Sequence, residues 1–249
     1  MKRTMIVLAV MLIFPATCLA EGGHGPHWTY EGHEGPEHWG ALSPDFKACS
    51  EGSNQSPIDI QGQALSDLED ITFIYNASKG SIVNNGHTIQ VNCDKGSSIK
   101  VNGKTYELLQ FHFHGPSEHT INGKSFDLEL HLVHKNVDGE LAVIGVMIEK
   151  GAHNNGLDEI WGKFPQEAGE KEALDQPIDI AAVMPRSKTY ITYQGSLTTP
   201  PCTEGVAWFV LKTPIQMSGE QLEEFAHIIK KNNRPVQPLN NRKIGEDKD

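Results

Sequence analysis

Between Tyr106 and His114 the chain alternates residue by residue. Leu108, Gln110, His112 and His114 fall on one face of an extended strand, and Phe111 and Phe113 fall on the other. A period of two with aromatic residues on one side defines a strand with one face against a core and excludes a helix there. The next run, Phe126–His134, repeats the pattern, with Glu129, His131 and Val133 on one face and Leu128, Leu130 and Leu132 on the other. Asn122-Gly123 lies between the two runs and predicts a hairpin in which His131 faces His112 and His114.

The rest of the chain agrees with a strand-rich fold. Further short, often β-branched runs are Ile71–Tyr75, His87–Val91, Ser98–Val101, Leu141–Ile148, Tyr190–Gln194 and Ala207–Leu211, and the turn dipeptides Asn85-Gly86, Asn102-Gly103 and Asp138-Gly139 separate several of them. Two helices are expected. One carries Leu157, Ile160, Trp161 and Phe164 at helical spacing; the other carries Leu222, Phe225, Ala226 and Ile229 behind a Ser218/Gln221 capping box. From Glu21 to about Asn54, Gly, Pro, His and aromatic residues suggest an irregular segment draped over a core. No repeat or long linker divides the chain, so one mainly β (α+β) domain with peripheral short helices is expected.

Residues 1–20 read as a secretory signal: Lys2 and Arg3, an apolar run from Met5 to Phe14, then Pro15 and small residues to Ala20. Cleavage near Ala20–Glu21 leaves a domain of residues 21–249 in a periplasmic or secreted location, and the run is too short to span a membrane. Cys18 raises lipid attachment as a rival, although Thr17 suits that processing poorly. The full chain carries 21 basic and 32 acidic side chains, a net −11; without Lys2 and Arg3 it has 19 against 32, or −13. Such a surface repels phosphate backbones, so no nucleic-acid partner is expected. Hydrophobic residues at 38% and charged residues at 21% exclude a disordered chain and a polytopic membrane protein. With Cys18 removed, Cys49, Cys93 and Cys202 remain. An oxidising compartment favours one disulfide and leaves one thiol over, but spacing alone does not choose the pair.

Two imidazoles at i and i+2 on a strand point the same way, about 7 Å apart, within reach of one ion. A third on the neighbouring strand completes the arrangement that catalytic zinc uses: three neutral imidazoles and an open fourth position. Gln110 and Glu129, each two residues from a histidine on the same face, are placed to anchor the far ring nitrogens. A lone strand histidine is ordinarily a core or surface residue; it is the triple, with an amide and an acid in register, that points to a metal. His24, His27, His33 and His38 form a loose stretch, solvated or a weak scavenger of metal. His119, His134, His153 and His227 carry no spacing signal.

Six motifs then resemble the α-class carbonic anhydrases: Gly35-Pro36-Glu37-His38-Trp39; Asn54 to Ile60; Asn84-Asn85-Gly86-His87; Gln110 to His119 with Glu129 to His134; Ser196 to Cys202; and Asn232-Asn233-Arg234-Pro235 with Gln237-Pro238-Leu239. The similarity runs from about His27 to Arg242. It implies a central twisted sheet of about ten mostly antiparallel strands, with Zn2+ at the base of a conical cleft. It implies that His112, His114 and His131 hold the zinc, with Gln110, Glu129 and the Asn232 carbonyl holding their far nitrogens. Thr198 matches the hydroxyl that accepts from a zinc-bound hydroxide and donates to Glu118, and Thr199 matches a substrate neighbour. Val133, Val143, Leu197, Val206 and Trp208 match an apolar wall for carbon dioxide. His87 matches a proton shuttle, although by itself it reads rather as a turn residue after Asn-Gly. Tyr30, Asn84, Asn85 and Gln90 match a polar wall ordering water; Gln90 stands where many relatives have Asn. Cys49 and Cys202 match a bridged pair, and Ser56-Pro57 and Pro200-Pro201 match cis bonds.

The resemblance therefore implies reversible hydration of carbon dioxide to bicarbonate and a proton, with a side activity on esters, in a monomer or homodimer. Two other readings stay open: a metal-free binding module on the same scaffold, and a periplasmic zinc carrier using the amino-terminal histidines. A zinc protease is disfavoured because no His-Glu-x-x-His helix occurs.

Overall fold

The computed structural model describes residues 26–62, 65–66 and 68–248, with 65–66 as backbone only. The signal assigned to residues 1–20, its cleavage point, Cys18 and His24 lie outside the described residues. In chain order the strands are β1 Asp59–Ile60, β2 Leu65–Ser66, β3 Thr72–Ile74, β4 Ser81–Asn84, β5 Ile89–Asn92, β6 Ser98–Val101, β7 Lys104–His114, β8 Thr120–Ile121, β9 Leu128–Lys135, β10 Leu141–Lys150, β11 Lys171–Ala173, β12 Tyr190–Ser196, β13 Glu204–Met217 and β14 Gly245–Asp247. The helices are α1 Trp39–Leu42, α2 Ala48–Glu51, α3 Asp158–Trp161 and α4 Gly219–Ile228.

One large sheet organises the molecule, in the order β11-β4-β5-β7-β9-β10-β13-β12-β14-β2. The ten strands of that path match the expected number, and β6 and β3 add two more beside the long strand β7. The length of β7 explains this: residues 104–107 pair with β6 and residues 110–112 pair with β5, both along one edge. Within the sheet β10–β13 and β14–β2 are parallel and the other ladders antiparallel. The strands that sequence patterning does not reveal, such as β1, β8, β11 and β14, have two or three residues each, too few to display a period.

Apolar side chains cover both faces. On one, Phe111, Phe113, Leu128, Leu130 and Leu132 pack with Ile160, Trp161, Phe164 and Phe225. On the other, Val133, Val143, Val206 and Trp208 pack with Ile58 and Ile60. Burying each such side chain contributes about 1.5–3 kcal/mol. The amino-terminal segment lies over the domain through Trp39, Phe46 and Cys49, which gather with Cys202.

Three expectations need correction. Asn122-Gly123 does turn the chain, with φ of 51° and 76°, but it closes a small loop bridging Ile121 and Lys124. The strands β7 and β9 are instead joined by the whole segment 115–127, which also pairs β8 with β1. Leu108 does not share a face with the histidines: the β7–β9 register shifts between Leu108 and Gln110. That bulge buries Leu108 with the phenylalanines and leaves Leu109 42% exposed. Finally, the helix expected across Leu157–Phe164 is a 3-10 turn, Asn155–Leu157, followed by the four residues of α3. Gly162 ends it, yet Phe164 still reaches the core. The second helix behaves as expected: Ser218 Oγ accepts from the Gln221 N–H and Gln221 Oε1 accepts from the Ser218 N–H.

The peptide bonds Ser56-Pro57 and Pro200-Pro201 are cis, and Gly115-Pro116 is cis as well. Cys49 is bonded to Cys202 across 153 residues, and Cys93 is free. Closing a loop of that length stabilises a fold by about 5 kcal/mol in the chain-entropy picture. Thiol titration of the denatured, unreduced chain from residue 21 onward is expected to find one thiol; three would show that the bond does not form.

Candidate metal centre

The metal site grows out of strand register. In the β7–β9 ladder His112 pairs directly with His131, and His114 with Glu129. Since side chains at i and i+2 share a face, the three imidazoles converge. Each offers a ring nitrogen, and these atoms lie within 4.8 Å of one another. Both His114 and His131 are 1% exposed.

The other ring nitrogen of each histidine has a close polar neighbour. Nδ1 of His112 is 2.8 Å from Gln110 Oε1 and Nδ1 of His114 is 2.7 Å from the Asn232 carbonyl. Nε2 of His131 is in close polar contact with Glu129 Oε1, at 2.9 Å. That leaves Nε2 of His112, Nε2 of His114 and Nδ1 of His131 facing one another. His114 Nε2 is buried with no hydrogen-bond partner, a costly state for a polar atom unless something binds there. Burial, with the mutual repulsion of like groups, drives the His112 pKa well below the ordinary imidazole value, and burial takes His114 down to about 4. Burial lowers His131 as well, against the pull of Glu129. All three are thus neutral at physiological pH, the form a metal requires. Buried neutral imidazoles with anchored backs and an unmatched inward nitrogen fit a divalent cation.

Glu129 is the hub behind this face. Its Oε2 accepts the backbone N–H groups of Glu118 and His119 at 2.9 and 2.8 Å, and its Oε1 lies 2.7 Å from His119 Nδ1. Burial alone would raise its pKa, but His119 and His131 hold it well below the usual carboxylate range. His119 Nε2 continues to Tyr193 Oη at 2.6 Å, and Tyr193 to Ser56 Oγ at 2.8 Å. His119, Glu129 and His131 also come within metal-binding distance, but their facing atoms are occupied by one another. Gly145, paired with His131 on β10, leaves the room: a Cβ there would sit 3.0 Å from Glu129 Oε1. His119 has no distinguishing spacing along the chain; its part emerges from the turn at Ser117–His119 that folds back on Glu129.

Glu118 faces the centre. Its Oε2 is 3.5 Å from His114 Nε2 and 3.8 Å from His131 Nδ1. Oε1 accepts the Arg234 backbone N–H at 2.8 Å, and the Thr198 side chain hydrogen-bonds the same carboxyl. Burial pushes its pKa up to about 7, while His131, the Arg234 N–H and Thr198 pull the other way. A bound cation would hold it down further.

Thr198 is 5% exposed, and Thr199 beside it turns the loop by accepting the Cys202 N–H at 2.8 Å. Val133, Val143, Val206 and Trp208 form one apolar cluster with Leu197 at its edge, and Trp208 is 4.9 Å from the His131 ring. Away from the imidazoles, His87 is half-buried and stacks on Trp28 at 3.7 Å and 8°. Burial, then the charge of His27, lowers the His87 pKa. Tyr30 has a buried hydroxyl without a partner, and its ring lies 6.4 Å from His87. Gln90 is paired opposite His112 and donates to Asn92 Oδ1. Asn85 uses its oxygen to hold the turn, accepting from the His87 and Thr88 N–H groups at 2.9 Å. Asn84 is 3% exposed, donates to the Pro165 carbonyl and accepts from the Gly86 N–H. Its amide therefore helps to hold the loop that carries His87.

The family model for eukaryotic-type carbonic anhydrase matches residues 34–248. A carbonic anhydrase of Pectobacterium atrosepticum is 45% identical over 238 residues, 95% of this chain and 97% of that one. Another from Neisseria gonorrhoeae is 45% identical over 98% of both chains. The α-carbonic anhydrase of Thermovibrio ammonificans, solved with the inhibitor sulfanilamide, superposes with a TM-score of 0.88 at 47% identity, covering 89% of this chain and 99% of that one. The chain belongs to the eukaryotic-type, or α-class, carbonic anhydrases. As a member it is a lyase of carbon dioxide hydration.

Replacing His114 by Ala removes one of three inward nitrogens. The purified His114→Ala variant is expected to hold much less than one metal ion per chain by elemental analysis; full stoichiometry would show that the ligands lie elsewhere.

Proposed function

We propose that the chain binds one Zn2+ through His112, His114 and His131 and hydrates carbon dioxide reversibly to bicarbonate and a proton, outside the cytoplasm. The observation that carries this is the convergence of three neutral, back-anchored imidazole nitrogens within 4.8 Å, with Glu118 against them and the apolar cluster around Trp208 alongside. Zinc, when bound, supplies a water acidic enough to ionise near neutrality, with a pKa of about 7.

The remaining work belongs to side chains. An ionised Glu118 can only accept hydrogen bonds, so the Thr198 hydroxyl donates to it and the Thr198 oxygen is left to accept one. That fixes the direction in which a nucleophilic water presents its lone pair. Val133, Val143, Leu197, Val206 and Trp208 offer an apolar surface, which suits a nonpolar linear molecule better than water, and Thr199 borders the same space. Each hydration releases one proton. His87 is proposed to carry it out: it is half-buried and neutral at pH 7, because its pKa lies below the ordinary value of about 6.5. Tyr30, Asn85 and Gln90 are proposed to order water between the two. The same nucleophile would attack activated esters, giving a side esterase activity. The leader and the Cys49–Cys202 bond both suit an oxidising compartment, so a periplasmic or secreted location is proposed.

The zinc-carrier reading finds less support, because among the described residues His27, His33 and His38 form no group of three converging donors.

Stopped-flow hydration followed with a pH indicator is expected to lose nearly all rate after verified removal of zinc and to regain it when zinc is returned; an unchanged rate would sink the reading. His87→Ala is expected to keep its metal but turn over more slowly in weak buffer, by about tenfold or more. Small imidazole buffers should restore it. Wild-type turnover in weak buffer would mean that the proton leaves by another route.

A further inference from the structure

Arg234 is 1% exposed, an unusual burial for a side chain that keeps its charge. Its Nη1 donates to Gln55 Oε1 and to the Ser56 carbonyl, and its Nη2 donates to the Cys49 carbonyl, each at 2.8 Å. The guanidinium also lies 5.7 Å from the Trp39 ring. All these partners belong to the amino-terminal segment. The main chain of the same residue faces the other way, and its N–H donates to Glu118 Oε1 at 2.8 Å. Two residues earlier, the Asn232 carbonyl holds His114.

Glu118 has one oxygen on that N–H and the other on the metal-facing nitrogens. The direction of Oε2 is therefore set by where the Arg234 N–H stands. A main-chain N–H on an irregular segment has no ladder to fix it; here three charge-assisted hydrogen bonds from its own side chain do so. We propose that Arg234 is a positioning residue for the reaction: its guanidinium, clamped to Cys49, Gln55 and Ser56, fixes the backbone N–H that orients Glu118 toward Thr198 and the metal. This rests on the proposed role of Glu118. The guanidinium makes no direct ion pair with Glu118, although it feels that charge; the contact between the two residues is the backbone N–H. It also ties the disulfide-bonded segment to the reacting groups, since Cys49 supplies both a bridging sulfur and a carbonyl acceptor.

A structural staple alone would hold the amino-terminal segment and nothing more. The two are separated by a double-mutant cycle on the zinc-loaded chain, using Arg234→Lys, Glu118→Gln and the pair. Lysine keeps the charge but presents one ammonium where a fork spans three acceptors. The glutamine amide cannot accept at both positions as the carboxylate does. With zinc at one per chain, Arg234→Lys is expected to lower kcat/KM for hydration about tenfold when Glu118 is intact and by about twofold or less in the Glu118→Gln background. In the metal-free chain, hydrogen exchange at the residue-234 backbone N–H is expected to quicken in Arg234→Lys relative to the amides of β10, and in the loaded chain the pH midpoint of kcat/KM should move; a uniform loss of stability causes neither. Equal losses in both backgrounds, or no loss in either, overturn the proposal. If Arg234→Lys does not fold, Gln55→Ala removes one acceptor and enters the same cycle, with the same criteria. Wild-type kcat/KM in Glu118→Gln alone would instead overturn the reading of Glu118, whatever the Arg234 variants do.

Discussion

The pairing of β7 with β9 sets His112 against His131 and His114 against Glu129, and the rest of the molecule is arranged around that register. A slip by one residue would turn every side chain of one strand to the opposite face, sending imidazoles into the apolar layer and leucines to the centre. Leu128, Leu130, Leu132, Phe111 and Phe113 resist such a slip, because each is nearly fully buried on the far side. The hydrophobic layer thus fixes the polar one. The bulge at Leu109 lets a single strand serve two neighbours, turning its first half to β6 and its second to β5 without moving the histidines.

Putting that many polar groups in a dry interior is costly unless each has a partner. Glu129 meets this requirement with two backbone N–H groups and two imidazoles, and His119, Tyr193 and Ser56 extend the chain of contacts to the amino-terminal segment. What stays unmatched is informative: His114 Nε2 and Glu118 Oε2 are both buried without hydrogen-bond partners, and both point to one place. These two atoms lie 3.5 Å apart, facing the space between the imidazoles where a cation would be received. The carbonic anhydrase family to which the chain belongs gives that opening its chemical sense.

The groups that would act on substrate come from loops held by distant parts of the chain. Thr198 sits on the turn closed by Cys202, which is bonded to Cys49. Glu118 is gripped from residue 234, His114 from residue 232, and Asn232 also donates to the His87 carbonyl at 2.9 Å. Rigid strands carry the proposed metal ligands, whereas the relay and His87 are positioned by contacts between loops, where small shifts alter rate more than binding.

Local pattern alone determined the strands that carry the histidines, because a period of two is visible in eight or more residues, and it determined the capped helix α4, whose signal lies in four consecutive positions. The converging imidazoles and two of their anchors, Gln110 and Glu129, followed from the same alternation. The motifs added what spacing does not contain: the resemblance brought in Asn232, Glu118, Thr198 and the Cys49–Cys202 pair, whose partners lie far apart along the chain. Tertiary structure decided the rest. It moved Leu108 to the core through a bulge that no periodicity predicts, and it tied Asn84 to Pro165 and Gly86. It also gave His119 and Arg234 their places. Short strands and buried hydrogen-bond chains depend on which distant atoms come within about 3 Å, and a linear pattern holds no record of that distance.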